Sequence, residues 1–131
     1  MKRIDYNMKE HGFVGHLSLP QKETTYGVIV IMGGEQSLFP GTIIADKFAD
    51  YGIMALAVSL FGAEGLPVGA VQVPIDMFIP AVQVLRDKGC KSISTYGMSM
   101  GSIFAALVPK YVGGIDNVIL CSPTHVPFMK N

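Results

Sequence analysis

The pentapeptide Gly97-Met98-Ser99-Met100-Gly101 stands between a β-type run, Ser92-Ile93-Ser94-Thr95-Tyr96, and an apolar helical run from Ile103 to Val108. Gly-x-Ser-x-Gly is common by chance, so the context carries the information. In a strand-to-helix turn this tight, the serine backbone is strained and its hydroxyl stands clear of the sheet, while the flanking glycines let strand and helix approach closely. The competing description is a glycine-flanked turn in an ordinary α/β protein, with an exposed serine. Both descriptions require an α/β fold.

The rest of the chain repeats the alternation. Arg3 to Leu19 alternates loosely around a polar break at Lys9-Glu10-His11-Gly12, which predicts two antiparallel strands joined by a turn. Val28-Ile29-Val30-Ile31-Met32 is a continuous β-branched run, as expected for a strand covered by helices on both faces, and Gly33-Gly34 ends it. Ile43, Ile44, Phe48 and Tyr51 recur at helical spacing, with Gly52 placed to close that helix. Ile53 to Val58 is the next buried strand, and a long loop follows, from Ser59 through Glu64 to Pro67. Ile75, Phe78, Ile79, Val82 and Leu85 predict a second amphipathic helix with Gly89 as its stop. Pro80 fits if that helix begins near Asp76, and requires a kink if it begins earlier. The helix after the Gly-x-Ser-x-Gly turn is expected to end at Pro109, ahead of a last strand, Asn117 to Cys121. Strands and helices at these spacings predict a mostly parallel sheet built by right-handed crossovers, with an N-terminal antiparallel hairpin and helices on both faces.

Ten basic residues balance ten acidic ones across 131 residues, and no basic run occurs, so neither nucleic acid nor an anionic membrane is an expected partner. The uncharged stretches Gly52 to Ala63 and Gly65 to Ile75 fall short of the about 20 apolar residues that span a bilayer. Met1 to Asn7 lacks the apolar stretch of a secretory signal. A soluble, cytoplasmic protein is therefore expected, with Cys90 and Cys121 as buried reduced thiols. His11, His16 and His125 are scattered without metal-ligand spacing, and neither metal nor cofactor is expected.

From Gly27 to Pro123 the chain resembles the α/β-hydrolase fold, and more narrowly the C-terminal catalytic domain shared by acyl-CoA thioesterases and bile-acid-CoA:amino-acid N-acyltransferases. The resemblance is carried by the glycine pair after the first parallel strand, Tyr51-Gly52-Ile53, Glu64-Gly65-Leu66-Pro67, and Tyr96 to Gly101. Dienelactone-hydrolase-like proteins share much of it, so a carboxylesterase of that kind is the alternative activity. A non-catalytic remnant that binds a ligand or partner is a third description. The resemblance implies that Ser99 is the nucleophile and that its substrate is a small acyl thioester or ester. Serine rather than cysteine at that place is similar to the hydrolytic members, so water is the implied acyl acceptor. The backbone N–H of Met100, at a helix N-terminus, and that of Gly34 or Glu35 after Met32 are the implied oxyanion donors.

A serine hydroxyl needs a neighbouring imidazole to take its proton, and the imidazole needs an acid to hold it. In the resembling family both follow later strands, so residues 1–131 are expected to form one truncated domain that is inactive as written. Asp116 and His125 follow Ser99 in the right order, but Asp116 precedes the last strand and so falls at the wrong edge of the sheet. His125, past that strand's end, is a candidate base, weighed against an exposed tail histidine. Surface positions suit His11 and His16. Glu64 could line the pocket or be an exposed loop carboxylate, while Phe61, Leu66, Phe78 and Met98 could form an acyl-binding wall or simply pack in the core. Residues 117–121 are expected to be an edge whose bare backbone and apolar side chains invite self-association.

Overall fold

The computed structural model describes residues 1–32, 38–61, 65–66 and 75–121. Strands β1 (Lys2–Tyr6), β2 (Gly15–Leu19), β3 (Tyr26–Ile31), β4 (Met54–Val58), β5 (Ser92–Met98) and β6 (Asn117–Cys121) form one sheet in the order β1-β2-β4-β3-β5-β6. β1 runs antiparallel to β2 and β2 antiparallel to β4, whereas β4, β3, β5 and β6 are mutually parallel. The expected architecture is therefore present: a mainly parallel sheet that begins with an antiparallel hairpin.

Helices lie on both faces. On one face Ile29, Ile31, Leu56 and Val58 pack with Phe78, Val82 and Leu85 of α3 (Phe78–Asp87) and with Ala105 and Val108 of α4 (Gly101–Val112). On the other face Val28, Val30, Ala55 and Ala57 pack with Ala45 of α2 (Phe39–Asp50). Neighbouring residues of β3 and β4 thus enter opposite cores, which is why these strands are apolar at almost every position. β5 differs. Ile93, Thr95 and Gly97 are buried on the face that α4 covers, but Ser92, Ser94, Tyr96 and Met98 are only half-buried, because α2 lies over β2 and β4 instead.

Several local expectations are changed or resolved. The break at residues 9–12 is a short helix, α1 (Met8–His11), not a simple turn. The Asn7 side chain accepts the Glu10 N–H at 2.8 Å and donates to the Glu10 carboxylate at 2.8 Å, while Gly12 closes the helix at φ 84°. In α2 the buried face is Gly41, Ala45 and Ala49, whereas Ile43 and Tyr51 are exposed. Small residues win there because the helix sits close on the alanines of β4: a Cβ on Gly41 would lie 3.2 Å from that of Ala57. A 3-10 turn, Ile75–Met77, leads into α3, so Pro80 falls in that helix's first turn without a kink, and Ile79 points outward.

Pro109 does not end α4 but lies inside it. A proline has no N–H to give the carbonyl four residues earlier, which here belongs to Ala105. The fully buried Thr95 hydroxyl of β5 donates to that carbonyl at 2.7 Å. A strand side chain thus supplies the bond the helix lacks, and the helix continues to Val112.

His16 is also not a surface residue, since its side chain is only 13% exposed. The antiparallel register sets Asp5 opposite His16 and Arg3 opposite Ser18, and α2 lowers Asp46 onto this group. His16 Nδ1 lies 2.9 Å from Asp5 Oδ1, Ser18 Oγ donates to Asp46 Oδ1 at 2.5 Å, and Arg3 Nη2 reaches Asp46 Oδ2 at 3.0 Å. Burial works to raise the Asp46 pKa, but the hydrogen bonds from Arg3 and Ser18, together with charge attraction led by Arg3, outweigh it and hold the carboxyl below its ordinary value. The cluster ties the N-terminal hairpin to α2.

Thr95→Val should strand the Ala105 carbonyl and cost ~1–3 kcal/mol. Adding Pro109→Ala restores an N–H donor, so urea midpoints should show the double variant recovering much of the loss. A carboxylate with a depressed folded-state pKa stabilises above its unfolded value and loses that contribution as pH falls. Asp46→Asn should therefore be less stable than wild type at neutral pH, with the gap closing below about pH 4 when thermal melts are compared.

Candidate active site

β5 runs directly into the turn that holds Ser99. Its φ is 55°, and among the described residues it is the one non-glycine with positive φ. A left-handed serine is a strained conformation, and neighbouring groups hold it. The Ser99 N–H donates to the Cys121 carbonyl at 3.1 Å, and the Ser99 carbonyl accepts from both the Ser102 N–H at 3.0 Å and the Ser102 hydroxyl at 2.6 Å. Ser99 is exposed, while Met100 and Ser102 behind it are buried.

The two glycines of the pentapeptide have no room for a side chain. A Cβ on Gly97 would stand 2.6 Å from both the Gly101 carbonyl oxygen and Ser102 Cα. One on Gly101 would overlap the Ile31 carbonyl oxygen and lie 2.6 Å from that of Met32. The start of α4 therefore presses against the turn on one side and the end of β3 on the other. Met100 is the N-cap residue of α4, with φ −59° and ψ −31°. The turn consequently sits where the helix N-terminus adds positive potential.

The place in the sheet matters as much as the turn. After β3 the chain crosses to β4 on one side, and after β4 it crosses back over β3 to β5 on the other. Ser99, at the C-terminal end of β5, is thus beside the topological switch point where open α/β sheets bind ligands. Asp116 is at the opposite end, exchanging hydrogen bonds of 2.7 and 3.0 Å with the backbone of Ile93 at the base of β5. It is a brace for the start of β6 and is held away from Ser99.

Other expected site residues are divided. Gly34, Glu35, Glu64 and His125 lie outside the described residues, as do Gly33 and Pro67. Phe61 and Phe78, the first residue of α3, are buried in the core, with Leu66 packed against it, and Met98 is half-buried. The two described histidines have other engagements. His11 Nδ1 accepts the Asn7 N–H at 3.0 Å, and its ring meets Tyr6 edge-on at 4.8 Å, while His16 belongs to the cluster under α2.

Both cysteines are free thiols. Cys90 is buried, and burial pushes its thiol pKa up. Cys121 is only partly buried, in contrast to expectation, because it closes the outermost strand. Its thiol approaches Tyr96, whose phenol is raised by burial first and by this hydrogen bond second. A surface cavity of about 1170 Å³, lined by Leu19, Tyr26, Met54 and Gly89, opens at the N-terminal ends of the parallel strands, away from Ser99. No helix among the described residues is long and apolar enough to cross a membrane.

Comparison with solved structures identifies the architecture as the α/β-hydrolase fold, of which this chain forms a part. TT1662 from Thermus thermophilus matches at a TM-score of 0.75 and 15% identity, over 100% of this chain and 61% of its own. A thermostable carboxyl esterase from Bacillus coagulans matches at 0.69 and 17%, over 92% of this chain and 43% of its own. The dienelactone hydrolase-like promiscuous phosphotriesterase P91, from metagenomic libraries, matches at 0.66 and 15%, over 98% and 61%. The chain thus spans between 43% and 61% of the length of these structures. No family model matches the sequence, and no curated protein matches it.

Gly97→Ala should force β5 and α4 apart. Such overpacking costs about 1–3 kcal/mol, and a lowered thermal midpoint would register it.

Proposed function

We propose that this chain is the nucleophile-bearing part of a serine hydrolase that cleaves small acyl esters or thioesters. The observation that carries this reading is the conformation of Ser99: a non-glycine residue at φ 55°, exposed, between β5 and α4 at the switch point of the sheet. Ser99 Oγ would attack the acyl carbonyl, and the alcohol or thiol would leave. Water would then release the acid from the acyl-enzyme. The Met100 N–H, at the head of α4, and an N–H from Gly34 or Glu35 are assigned to the developing oxyanion. In sequence those two residues follow shortly after Met32, whose carbonyl oxygen borders Gly101.

Two substrate classes divide the support. The sequence resemblance favours acyl-CoA thioesters, whereas the structures of similar fold include a carboxyl esterase and a dienelactone hydrolase-like protein, which favour oxygen esters. The general base is assigned outside the described residues, with His125 as the candidate in this chain.

A fluorophosphonate probe should label Ser99 wherever the base is in place, and Ser99→Ala should abolish both labelling and hydrolysis. Unchanged hydrolysis by a folded Ser99→Ala variant would overturn the assignment. Rates on acyl-CoA and p-nitrophenyl esters, compared side by side, should decide the substrate class.

A further inference from the structure

Behind Ser99, the first turn of α4 carries a buried hydroxyl in apolar surroundings. From Gly101 to Pro109 the helix reads Gly-Ser-Ile-Phe-Ala-Ala-Leu-Val-Pro, and Ser102, 2% exposed, is the one polar side chain of that span. A buried hydroxyl needs a hydrogen-bond partner to offset its lost hydration. Ser102 Oγ donates to the Ser99 carbonyl at 2.6 Å, and the Ser102 N–H donates to the same oxygen at 3.0 Å. Serine in a helix often bonds back to a carbonyl three or four residues earlier. Here that carbonyl belongs to a left-handed residue outside the helix, at φ 55°.

The Ser99 carbonyl shares one planar peptide unit with the Met100 N–H. No cis peptide bond occurs among the described residues, so the two groups point in opposite directions. The carbonyl is drawn toward Ser102. The N–H therefore faces out of the head of α4, and among the described residues it has no acceptor. The preceding peptide unit is fixed as well, because the Ser99 N–H donates to the Cys121 carbonyl at 3.1 Å. Both peptide units flanking the serine are thus held, one by the end of β6 and one by Ser102.

We propose that Ser102 is a positioning residue: its hydroxyl holds the Ser99–Met100 peptide unit against rotation and polarises it, so that the Met100 N–H meets the oxyanion already aimed. This role rests on the nucleophile and oxyanion donor proposed for Ser99 and Met100. Two effects act in the same direction. A peptide unit turns as a rigid body about its flanking bonds, and a second hydrogen bond to its carbonyl narrows that motion. A hydrogen bond at the carbonyl also draws electron density from the N–H, which strengthens it as a donor by about 10–30% per bond. Aim and donor strength count most where negative charge develops, so the contribution falls on the chemical step rather than on substrate binding.

Ser102→Ala removes the hydroxyl and leaves the backbone N–H of that residue in place. Its circular dichroism should match wild type. In protein whose Ser99 accepts a fluorophosphonate probe, it should lower kcat on a p-nitrophenyl ester about five- to tenfold and leave KM within about twofold. Hydrogen bonding at a carbonyl deshields both its own carbon and the next nitrogen. NMR of the isotope-labelled 131-residue chain should therefore show the Ser99 carbonyl 13C and the Met100 15N moved to lower frequency in Ser102→Ala. Ser102→Thr keeps a hydroxyl and should recover most of both effects. Wild-type kcat in Ser102→Ala, where Ser99→Ala is inactive, would overturn the positioning role and leave the hydrolase reading standing. Unchanged resonances in a folded Ser102→Ala chain would do the same. Hydrolysis that persists in Ser99→Ala would instead overturn the hydrolase reading, and the role of Ser102 with it.

Discussion

Two absent Cβ atoms govern the geometry around Ser99. Gly97 lets the first turn of α4 rest on β5, and Gly101 lets the same turn rest on the end of β3. With helix and two strands this close, the chain between them has little choice of path, and Ser99 is held in the left-handed region. The same closeness lets the Thr95 hydroxyl reach the Ala105 carbonyl, so α4 can carry Pro109 in its body. Backbone strain at the serine and tolerance of a proline two turns later have one origin.

Coverage of the sheet is uneven, and the unevenness organises the molecule. β3 and β4 are enclosed from both sides, with α2 supplying only small side chains against the alanines of β4. Toward β1 and β2 the gap under α2 is filled by a polar cluster in which Asp46 joins Arg3 and Ser18 and borders His16. Toward β6 the cover thins, and the last strand exposes apolar side chains on both faces. The turn at Ser99 and the end of β6 are therefore neighbours in the fold. The Ser99 N–H bonded to the Cys121 carbonyl connects them physically.

Much of this architecture was legible in local patterns. Continuous β-branched runs marked the doubly covered strands, glycines marked the turns, and Asn117 to Cys121 was delimited to the residue. The conformation expected of Ser99 followed from the five residues around it, since few backbones satisfy a strand, a helix and two glycines in so short a span. Where the reading missed, the deciding partner was distant in sequence. Ile43 and Tyr51 looked like a core face, but how closely α2 settles depends on Ala57, which favours Gly41, Ala45 and Ala49. Nothing near Pro109 reveals that Thr95 will satisfy the carbonyl it orphans, and nothing near His16 reveals Asp46.

The sequence by itself determined the order of the strands and of the three longer helices, the mainly parallel sheet and the tight turn at Ser99, because hydrophobic period, glycine placement and side-chain branching act over a few residues. Only the tertiary structure decided which helix face is buried, how Pro109 is accommodated and that His16 is enclosed between carboxylates. Those outcomes depend on contacts between segments tens of residues apart, whose separation and angle are set by packing of the whole sheet.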